Sequence, residues 1–536
     1  MKKLSFKIFV LILSTNICFG KILNVPSEYV TIQSAMNAAA TGDTVLVDEG
    51  PYYENIRFYG KSIIVASKFI LDQDPDHITN TIINGSEATN SDSASCVMFY
   101  GEDANAVLQG FTLTEGRGTK YILSDLTTTT KYDGQITVEG GGIFFNKSSA
   151  TVKNNLIINN EAAAISGYDY NGGGAISSFC GNPSIYNNVI IHNRAVTANG
   201  TYGYASGIVF NESNGTIRNN IIYNNHTTGR AAIFIDINKD AIVENNTIVG
   251  NTSDRDAAGI FNRTPNSIFR NNIVWGNINS TNQIMGIGDQ DVFEYTFTDQ
   301  VFSSRPTVSN EYPDFGDYGF ILDEGSPCID AGNPEATFND VNNSKNDVGA
   351  YGGPYADVLP EFFHEEVLID TSGLNINSNV NDTISFSVSI SNTGTHALSI
   401  DSIVFPETLS GIRMDIKHQN YNVKTMRIDT IPIEIIPQWG TDLDDWVKIY
   451  HNGRELENPI KIKIDAKIEG PLQSVTNIKN GLKKSDLKVF PNPASTILNV
   501  VVPGELAGIK AQLFDMVGKH VLYETISGSQ LSIVRA

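Results

Sequence analysis

Cysteine and charge are both scarce in this chain of 536 residues. Of its four cysteines, three (Cys96, Cys180 and Cys328) lie beyond the N-terminal leader, and their odd number and scattered positions predict no disulfide framework. Charged residues make up only 18% of the sequence. No long heptad pattern, P-loop, zinc-ligand spacing, nucleophile elbow or serine triad pattern is present. These absences exclude the best-marked coiled-coil, nucleotide-binding, zinc and serine-hydrolase classes.

The charges that are present are mostly acidic. The chain has 59 Asp and Glu against 37 Lys and Arg, which gives a net charge of −22. A surface of this sign repels phosphates, so nucleic acid is not an expected partner. It is compatible with divalent cations as partners and with solubility in an extracellular medium.

The N-terminal residues follow the order of a secretory signal peptide. Lys2 and Lys3 give a positive start, Ile8 to Leu13 an apolar region, and Gly20 a small residue before cleavage. The apolar run is too short to span a bilayer, and no other stretch is apolar enough. We therefore predict a signal peptide over 1–20, no transmembrane segment, and a secreted or cell-surface protein exported through the periplasm.

Asparagine, by contrast, recurs in a pattern. Five times, two adjacent asparagines are followed by a third, five positions after the second, and the second asparagine recurs after 33, 32, 26 and 26 residues. Such a period with short β-branched runs is typical of a solenoid of β-coils. The copies are Asn154–Asn160, Asn187–Asn193, Asn219–Asn225, Asn245–Asn251 and Asn271–Asn277.

The second asparagine of each copy predicts an internal ladder. Equivalent residues of stacked coils lie roughly 4.8 Å apart, so an inward amide can donate to one coil and accept from the other. These asparagines are structural candidates rather than catalytic ones. We predict that Asn155, Asn188, Asn220, Asn246 and Asn272 align at one bend, and that Ile157, Ile190, Ile222, Ile248 and Val274 stack as one inward aliphatic column.

The residues on either side of the repeats carry a family resemblance. Thr31 to Ala40 predicts a short helix with a threonine N-cap, which would cover the open end of the stack. The residues around it resemble the start of right-handed parallel β-helix proteins of the pectin-lyase-like superfamily, and a later block is similar to the segment that closes such helices in secreted bacterial surface proteins. We therefore expect an all-β chain with a right-handed parallel β-helix over 21–357. The phrases are Val25–Gln33, Gly42–Gly50 and Tyr53–Ile56, then Gly325–Asn333 and Asp347–Gly353.

Near Pro360 the repeats give way to strands of period two. This alternation predicts an antiparallel β-sandwich over 358–468. The phrase Ser391–Ile403 is similar to the immunoglobulin-like (Ig-like) repeats found beside such helices, which act as spacers or small binding modules. The strands expected are Thr383–Ile390, Ile400–Val404, Trp446–Tyr450 and Ile460–Ile464.

The C-terminus carries a second resemblance, after a polar linker over 469–485. Leu487–Val500, with the phrase Phe490-Pro-Asn-Pro-Ala494, and Ala511–Lys519 resemble the C-terminal sorting domain of proteins exported by the type IX system of Bacteroidetes. The resemblance implies the type IX secretion machinery as a partner. The family continues through further strands, whereas this sequence stops at Ala536, so an incomplete sorting domain is expected over 486–536.

Candidate catalytic residues lie on the strands that follow small-residue starts. The superfamily resemblance implies a basic residue that removes the C5 proton of a uronate, and a cation or acids that neutralise its carboxylate. Asp236 should face outward, because Ile235 and Ile237 should alternate inward. Glu212, Asp236 and Arg263 would then form a polar column on adjacent coils; the alternative is a solvated face of unrelated charges.

The loops that follow the terminal asparagines are rich in tyrosine and arginine. Aromatic faces suit sugar rings and arginines suit carboxylates, although both are also ordinary loop residues. Asp254 and Asp256 suggest calcium only weakly, because calcium takes about six to eight oxygen ligands, so no metal site or cofactor is predicted. The candidate substrate-binding residues are Tyr168, Tyr170, Arg194, Tyr202, Tyr204 and Arg230.

Two functions are compatible with this sequence, because a β-helix does not by itself decide between them. In the first, the helix binds a polysaccharide or cell-surface glycan, or another extracellular partner, without catalysis. In the second, the protein is a polysaccharide lyase or glycoside hydrolase that acts on acidic glycans from the outer face of the helix. Retention of a glycan without turnover would favour the first, and turnover lost on mutation of Asp236 or Arg263 would favour the second.

Overall fold

The computed structural model describes residues 20–123, 134–164, 170–197, 202–237, 240–278, 282–369, 373–405, 421–437, 441–453 and 457–469, and five short strands between 488 and 534. The predicted signal peptide, except for Gly20, most of the predicted linker, and Tyr168 lie outside the described residues.

Three long parallel sheets form the first part of the molecule. Each full coil contributes one strand to each sheet, and consecutive coils pair in register, as where Ile157 lies between Leu113 and Ile190. The predicted all-β fold with a parallel β-helix is confirmed.

The strands of these sheets are short, as coils with frequent bends require. Sheet A contains Ile22–Val25, Thr44–Val47, Ile64–Ser67, Val107–Gln109, Thr151–Lys153, Ser184–Tyr186, Thr216–Arg218, Ile242–Glu244, Ile268–Arg270 and Val292–Glu294. Sheet B contains Gly50–Tyr52, Thr81–Asn84, Thr112–Thr114, Leu156–Ile158, Val189–Ile191, Ile221–Tyr223, Thr247–Val249, Ile273–Trp275, Thr296–Thr298 and Val308–Ser309. Sheet C contains Ile56–Arg57, Val97–Tyr100, Ile143–Asn146, Ile176–Phe179, Ala205–Asn211, Ala231–Asp236, Ile260–Asn262 and Ile284–Met285.

Two smaller sheets are formed by the segments that connect sheet B to sheet C. Sheet E is built from parallel pairs only, whereas sheet D has two parallel pairs and two antiparallel pairs, the latter on either side of Gly118–Ile122. Sheet D contains Ser93–Ala94, Gly118–Ile122, Ile136–Glu139, Tyr170–Gly172 and Tyr202–Gly203. Sheet E contains Glu161–Ala164, Arg194–Thr197, His226–Thr227 and Thr252–Ser253.

A short helix covers the N-terminal end of the stack. It spans Ile32–Ala38, and the Thr31 hydroxyl accepts a hydrogen bond from the Ser34 backbone N–H at 3.1 Å, which confirms the predicted N-cap. Its buried residues join the core of the first coils. The other helices of the described residues are Phe69–Asp72 and Asp76–Asn80, with single 3₁₀ turns at Gly85–Glu87 and Ala336–Phe338.

The predicted asparagine ladder is confirmed. The Asn220 amide donates to Asn246 Oδ1 at 3.0 Å, and its own oxygen accepts from the Asn188 backbone N–H at 3.0 Å. The predicted aliphatic column is confirmed as well: its five members are fully buried and paired in register. The third asparagine of each copy forms a second ladder, Asn160, Asn193, Asn225, Asn251 and Asn277.

The first asparagine of each pair has a separate role that the sequence did not reveal. All five have a left-handed backbone, and their side chains point away from the interior to bind a return segment, defined here as residues 333–358. This segment runs back along the stack from the last repeat to the first, so the first asparagine of each pair binds it at one coil after another. The contacts are Asn271 Oδ1 with Asn333 N at 2.9 Å, and the Nδ2 atoms of Asn245, Asn219, Asn187 and Asn154 with the carbonyl oxygens of Asp347, Ala350, Tyr355 and Val358 at 2.9–3.0 Å.

Beyond the helix, two further sheets enclose a common apolar core. The predicted strands are present, but Leu374–Asn379 pairs in parallel with Ile460–Glu469, so the β-sandwich is not purely antiparallel. Its Ig-like character and the boundaries at 358 and 468 stay predictions. One sheet contains Val367–Ile369, Ile384–Asn392 and Arg427–Ile435; the other contains Leu374–Asn379, Ile460–Glu469, Thr441–His451, Leu398–Val404 and Tyr421–Val423.

The sandwich is attached to the outer side of sheet B. The Tyr223 hydroxyl donates to Thr393 O at 2.8 Å, and Lys424 Nζ lies 2.7 Å from Asp314 and 2.6 Å from Asp323. These hydrogen bonds raise the pKa of the Lys424 ammonium, Asp314 contributing most.

The C-terminal strands form two small antiparallel sheets. One contains Lys488–Phe490, Ile497–Val501 and Gln530–Val534, and the other contains Lys510–Phe514 and His520–Thr525. The expectation that this domain is incomplete stays a prediction.

Candidate functional site

The outer face of sheet C, where catalytic residues were expected, is covered by sheet D and its neighbouring residues. Tyr121 packs against Phe179 with ring centroids 4.5 Å apart, and Tyr204 stacks on Phe234 at 5.0 Å. Phe179 and Phe234 are completely buried although they point away from the helix interior. The aromatic residues therefore form an apolar layer between the two sheets instead of an open polysaccharide groove.

Asp236 and Arg263 come together on this covered face, as their positions on adjacent coils predicted. Arg263 Nη1 lies 3.1 Å from Asp236 Oδ2, and Asp236 is only 6% exposed. The arginine compensates the buried carboxylate, as burial of a charge requires. The guanidinium and the carboxylate therefore neutralise each other.

Glu212 is near Asp236 in the backbone but its carboxylate has a different neighbour. Its N–H donates to Asp236 O at 3.2 Å, whereas Glu212 Oε2 lies 3.4 Å from Cys180 Sγ. Glu212 is 4% exposed and has a left-handed backbone with φ of 49°. The prediction that Ile237 points inward is wrong: its φ of 65° interrupts the strand alternation, and it packs against the outer aromatic cluster.

A buried acid that sequence reasoning missed faces the same covered space. Glu139 of sheet D accepts hydrogen bonds from Thr137 Oγ1 at 2.5 Å and Ser177 Oγ at 2.7 Å. Burial raises the pKa of Glu139 to about 7, against the lowering effect of these two hydroxyls. Its signal in the sequence is the alternation of Ile136–Glu139, which places Thr137 and Glu139 on one side of a strand.

Glu139 and Asp236 line one small cavity, together with Tyr204 and Asn211. Its volume is about 10 Å³, which is about the space that one water molecule needs. A sugar ring cannot enter this cavity while sheet D is in place.

The structure describes the side chains of three of the predicted binding residues, Arg194, Tyr204 and Arg230. Tyr170 and Tyr202 pair through their backbones in sheet D, and their side chains lie outside the described residues. Tyr204 is buried against Phe234, and the Arg230 guanidinium lies 5.7 Å from the same ring. Arg194 is exposed on sheet E, where Glu161 and His226 flank it on the adjacent coils.

The weak calcium suggestion at Asp254 and Asp256 is not supported by their surroundings. Asp256 Oδ2 lies 3.4 Å from Arg230 Nε, so an arginine already neutralises this carboxylate. Within the described ranges, no group of three or more His, Cys, Asp or Glu side chains is arranged to hold a metal ion.

Comparison with known proteins identifies one segment. Residues 488–534 match the family model described as "Secretion system C-terminal sorting domain". No curated protein matches the chain. Across the described residues, no helix is both long and apolar enough to cross a membrane.

Similarity to solved structures is distant. A protein of unknown function from Porphyromonas gingivalis W83 is 17% identical, covers 19% of this chain and 46% of its own, and has a TM-score of 0.16. The CsuC–CsuE chaperone–tip adhesion subunit complex of the archaic chaperone-usher Csu pili from Acinetobacter baumannii is 13% identical over 32% of this chain and 88% of that one, with a TM-score of 0.14. The chain thus spans about half the length of the first of these structures. The C-terminal match identifies residues 488–534 as a type IX secretion sorting domain and the protein as one that is exported to the cell surface or secreted.

Proposed function

We propose that this exported protein binds a polysaccharide or another extracellular partner through its β-helix and sandwich without chemically changing it. The observation that carries this proposal is the closure of the outer face of sheet C. The two acids that an enzyme of this architecture would present to a glycan, Glu212 and Asp236, are instead buried, and aromatic residues fill the space between sheets C and D.

The charges on that face support the same conclusion. An enzyme acting on uronates needs a basic residue that is available for the C5 proton and a group that neutralises the carboxylate. Here Arg263 is engaged with Asp236, Glu212 contacts Cys180, and the small cavity has room for about one water molecule. The type IX sorting domain supports a role for the protein outside the cell, at its surface or in the medium.

The test is a parallel measurement of retention and turnover. The full chain is incubated with a panel of neutral and acidic polysaccharides, and both co-sedimentation and new product ends are measured. We expect retention on at least one polysaccharide with no product above the protein-free control. Retention on none of them would rule out polysaccharide as the partner, and product formation that depends on the protein would contradict binding without catalysis.

A lyase or hydrolase is the second candidate, and one observation favours it. Glu139, with its pKa near 7, and Asp236 line the same cavity. Two carboxyl groups in different environments can serve as the acid and the base of one reaction. Catalysis would require sheet D to move away from sheet C. If turnover is found, Glu139→Gln and Asp236→Asn should each abolish it, while the exposed Tyr53→Ala should leave it unchanged.

A further inference from the structure

A second, much larger concavity lies where the sandwich meets the segments that lead to it. We call this the junction groove. Its volume is about 510 Å³, within the range of about 300–1,000 Å³ that is typical of ligand sites. Its lining includes Asp317, Tyr318, Phe363, Glu365, His396 and Asn452.

Three aromatic rings lie side by side in the junction groove. The Phe363 and His396 ring centroids are 4.5 Å apart with their planes inclined by 51°, and Tyr318 lies 6.4 Å from His396 with their planes inclined by 26°. Tyr318 is 59% exposed and Phe363 is 40% exposed. Large aromatic faces that are grouped and left open to water are unusual on a protein surface, and they offer a stacking platform for an apolar ring face.

Backbone hydrogen bonds hold this platform in place. Ala397 N–H donates to Asp317 O at 3.0 Å, and Gly319 N–H donates to Thr395 O at 2.9 Å. These two bonds flank Tyr318 and His396 and join the helix side of the groove to the sandwich. A platform ordered before binding lowers the entropic cost of binding.

The polar groups of the groove suit hydroxyls rather than anions. Asn452 Oδ1 accepts from the Ser399 N–H at 2.8 Å, which fixes the orientation of that amide, and Asn422 is the strand partner of Ser399. Asp317 and Glu365 add carboxylates. Among the described residues that line the groove there is no lysine or arginine. Uronates and sulfated sugars would therefore meet repulsion, in a protein whose net charge is already −22.

We infer that the junction groove binds neutral polysaccharide, with pyranose rings stacked on Tyr318 and Phe363 and sugar hydroxyls bonded to the amides and carboxylates. This inference rests on the proposed function, because it names the sugar class and the place of binding. It assigns recognition to the junction with the sandwich rather than to the loops of the helix.

The test measures binding of the full chain to neutral oligosaccharides and to uronate oligosaccharides by calorimetry. We expect neutral sugars to bind, and Tyr318→Ala and Phe363→Ala each to weaken that binding about tenfold. Tyr53→Ala, which removes a tyrosine of similar exposure far along the chain, is the matched control and should have no effect. Asp317→Asn with Glu365→Gln should improve binding of uronates.

The possible results distinguish a wrong binding site from a wrong function. If neutral sugars bind but both aromatic variants bind as tightly as the parent protein, the groove is the wrong site although the function stands. Binding of uronates alone would overturn the sugar class assigned here. If no sugar of either class binds, the glycan-binding function itself is overturned along with the groove.

Discussion

Replacement of Asn220 by alanine gives the sharpest test of how the stack is held together. The Asn220 side chain is fully buried, and it donates to Ile185 O, Arg218 O and Asn246 Oδ1 at 2.9–3.0 Å. Its oxygen accepts from both the backbone and the side-chain amide of Asn188. Alanine can make none of these bonds.

The expected loss follows from which partners are left unsatisfied. The buried Asn188 N–H loses its acceptor, at a cost of about 1–3 kcal/mol, and the two amide hydrogens of Asn220 account for about 1 kcal/mol each. We therefore expect the free energy of unfolding to fall by about 3–5 kcal/mol. Chemical unfolding of the full chain followed by circular dichroism measures this change.

The neighbouring asparagine provides the control. Asn219 binds only the return segment, through Ala350 O and Gly352 O, and Asn219→Gly removes those bonds while tolerating the left-handed backbone at φ of 53°. We expect a loss of about 1–2 kcal/mol from this variant. If Asn220→Ala costs no more than Asn219→Gly, the inner ladder does not have the role assigned to it.

Three further predictions concern the core, the buried acid and the sandwich contact. Ile222→Ala should cost about 2–5 kcal/mol, against almost nothing for the exposed Ile428→Ala, and a change within a few tenths by urea titration would contradict the inward column. Burial of Glu139 raises its pKa from 4.5 to about 7. Between these pH values the folded state holds a proton that the unfolded state releases. The resulting stability is present below pH 4.5 and is lost as the pH rises to 7. Glu139→Gln should therefore match the parent protein at low pH and exceed its stability by about 3 kcal/mol above pH 7; thermal unfolding at both pH values checks this, and an equal difference at both would refute it. Lys424→Met should lower the stability by about 1 kcal/mol at low ionic strength, and the difference should shrink in concentrated salt, since the ion pairs are partly exposed; a difference that is independent of salt would count against it.

The sequence predicted the interior of the β-helix well because the asparagine repeat marks which residues of successive coils lie beside each other. The five-residue step between asparagines fixed both the ladder and the aliphatic column, and Thr31 marked the start of the capping helix. The return segment was not predictable in the same way. Asn219 and Asn220 are identical residues, and the partners of Asn219 lie more than a hundred positions away in the chain.

In the candidate site, too, the sequence predicted contacts between equivalent positions of adjacent coils but not contacts with segments outside the repeat. The contact between Asp236 and Arg263 followed from their equivalent places on adjacent coils. The burial of Asp236 was not predictable in this way, because it depends on sheet D, whose strands occur in connections of irregular length and carry no repeat. The left-handed backbone at Ile237 likewise broke an alternation that local sequence suggested. The junction groove lies between segments that are remote in sequence, so the repeat pattern does not predict it.

Binding of glycan without cleavage is what distinguishes this exported protein from a lyase or hydrolase. The most direct measurement is a crystal structure of the full chain soaked with a neutral oligosaccharide of defined length. We expect an intact oligosaccharide stacked on Tyr318 and Phe363, with sheet D still closed over Asp236. A shortened oligosaccharide, or one bound beside Glu139 and Asp236 with sheet D displaced, would contradict it.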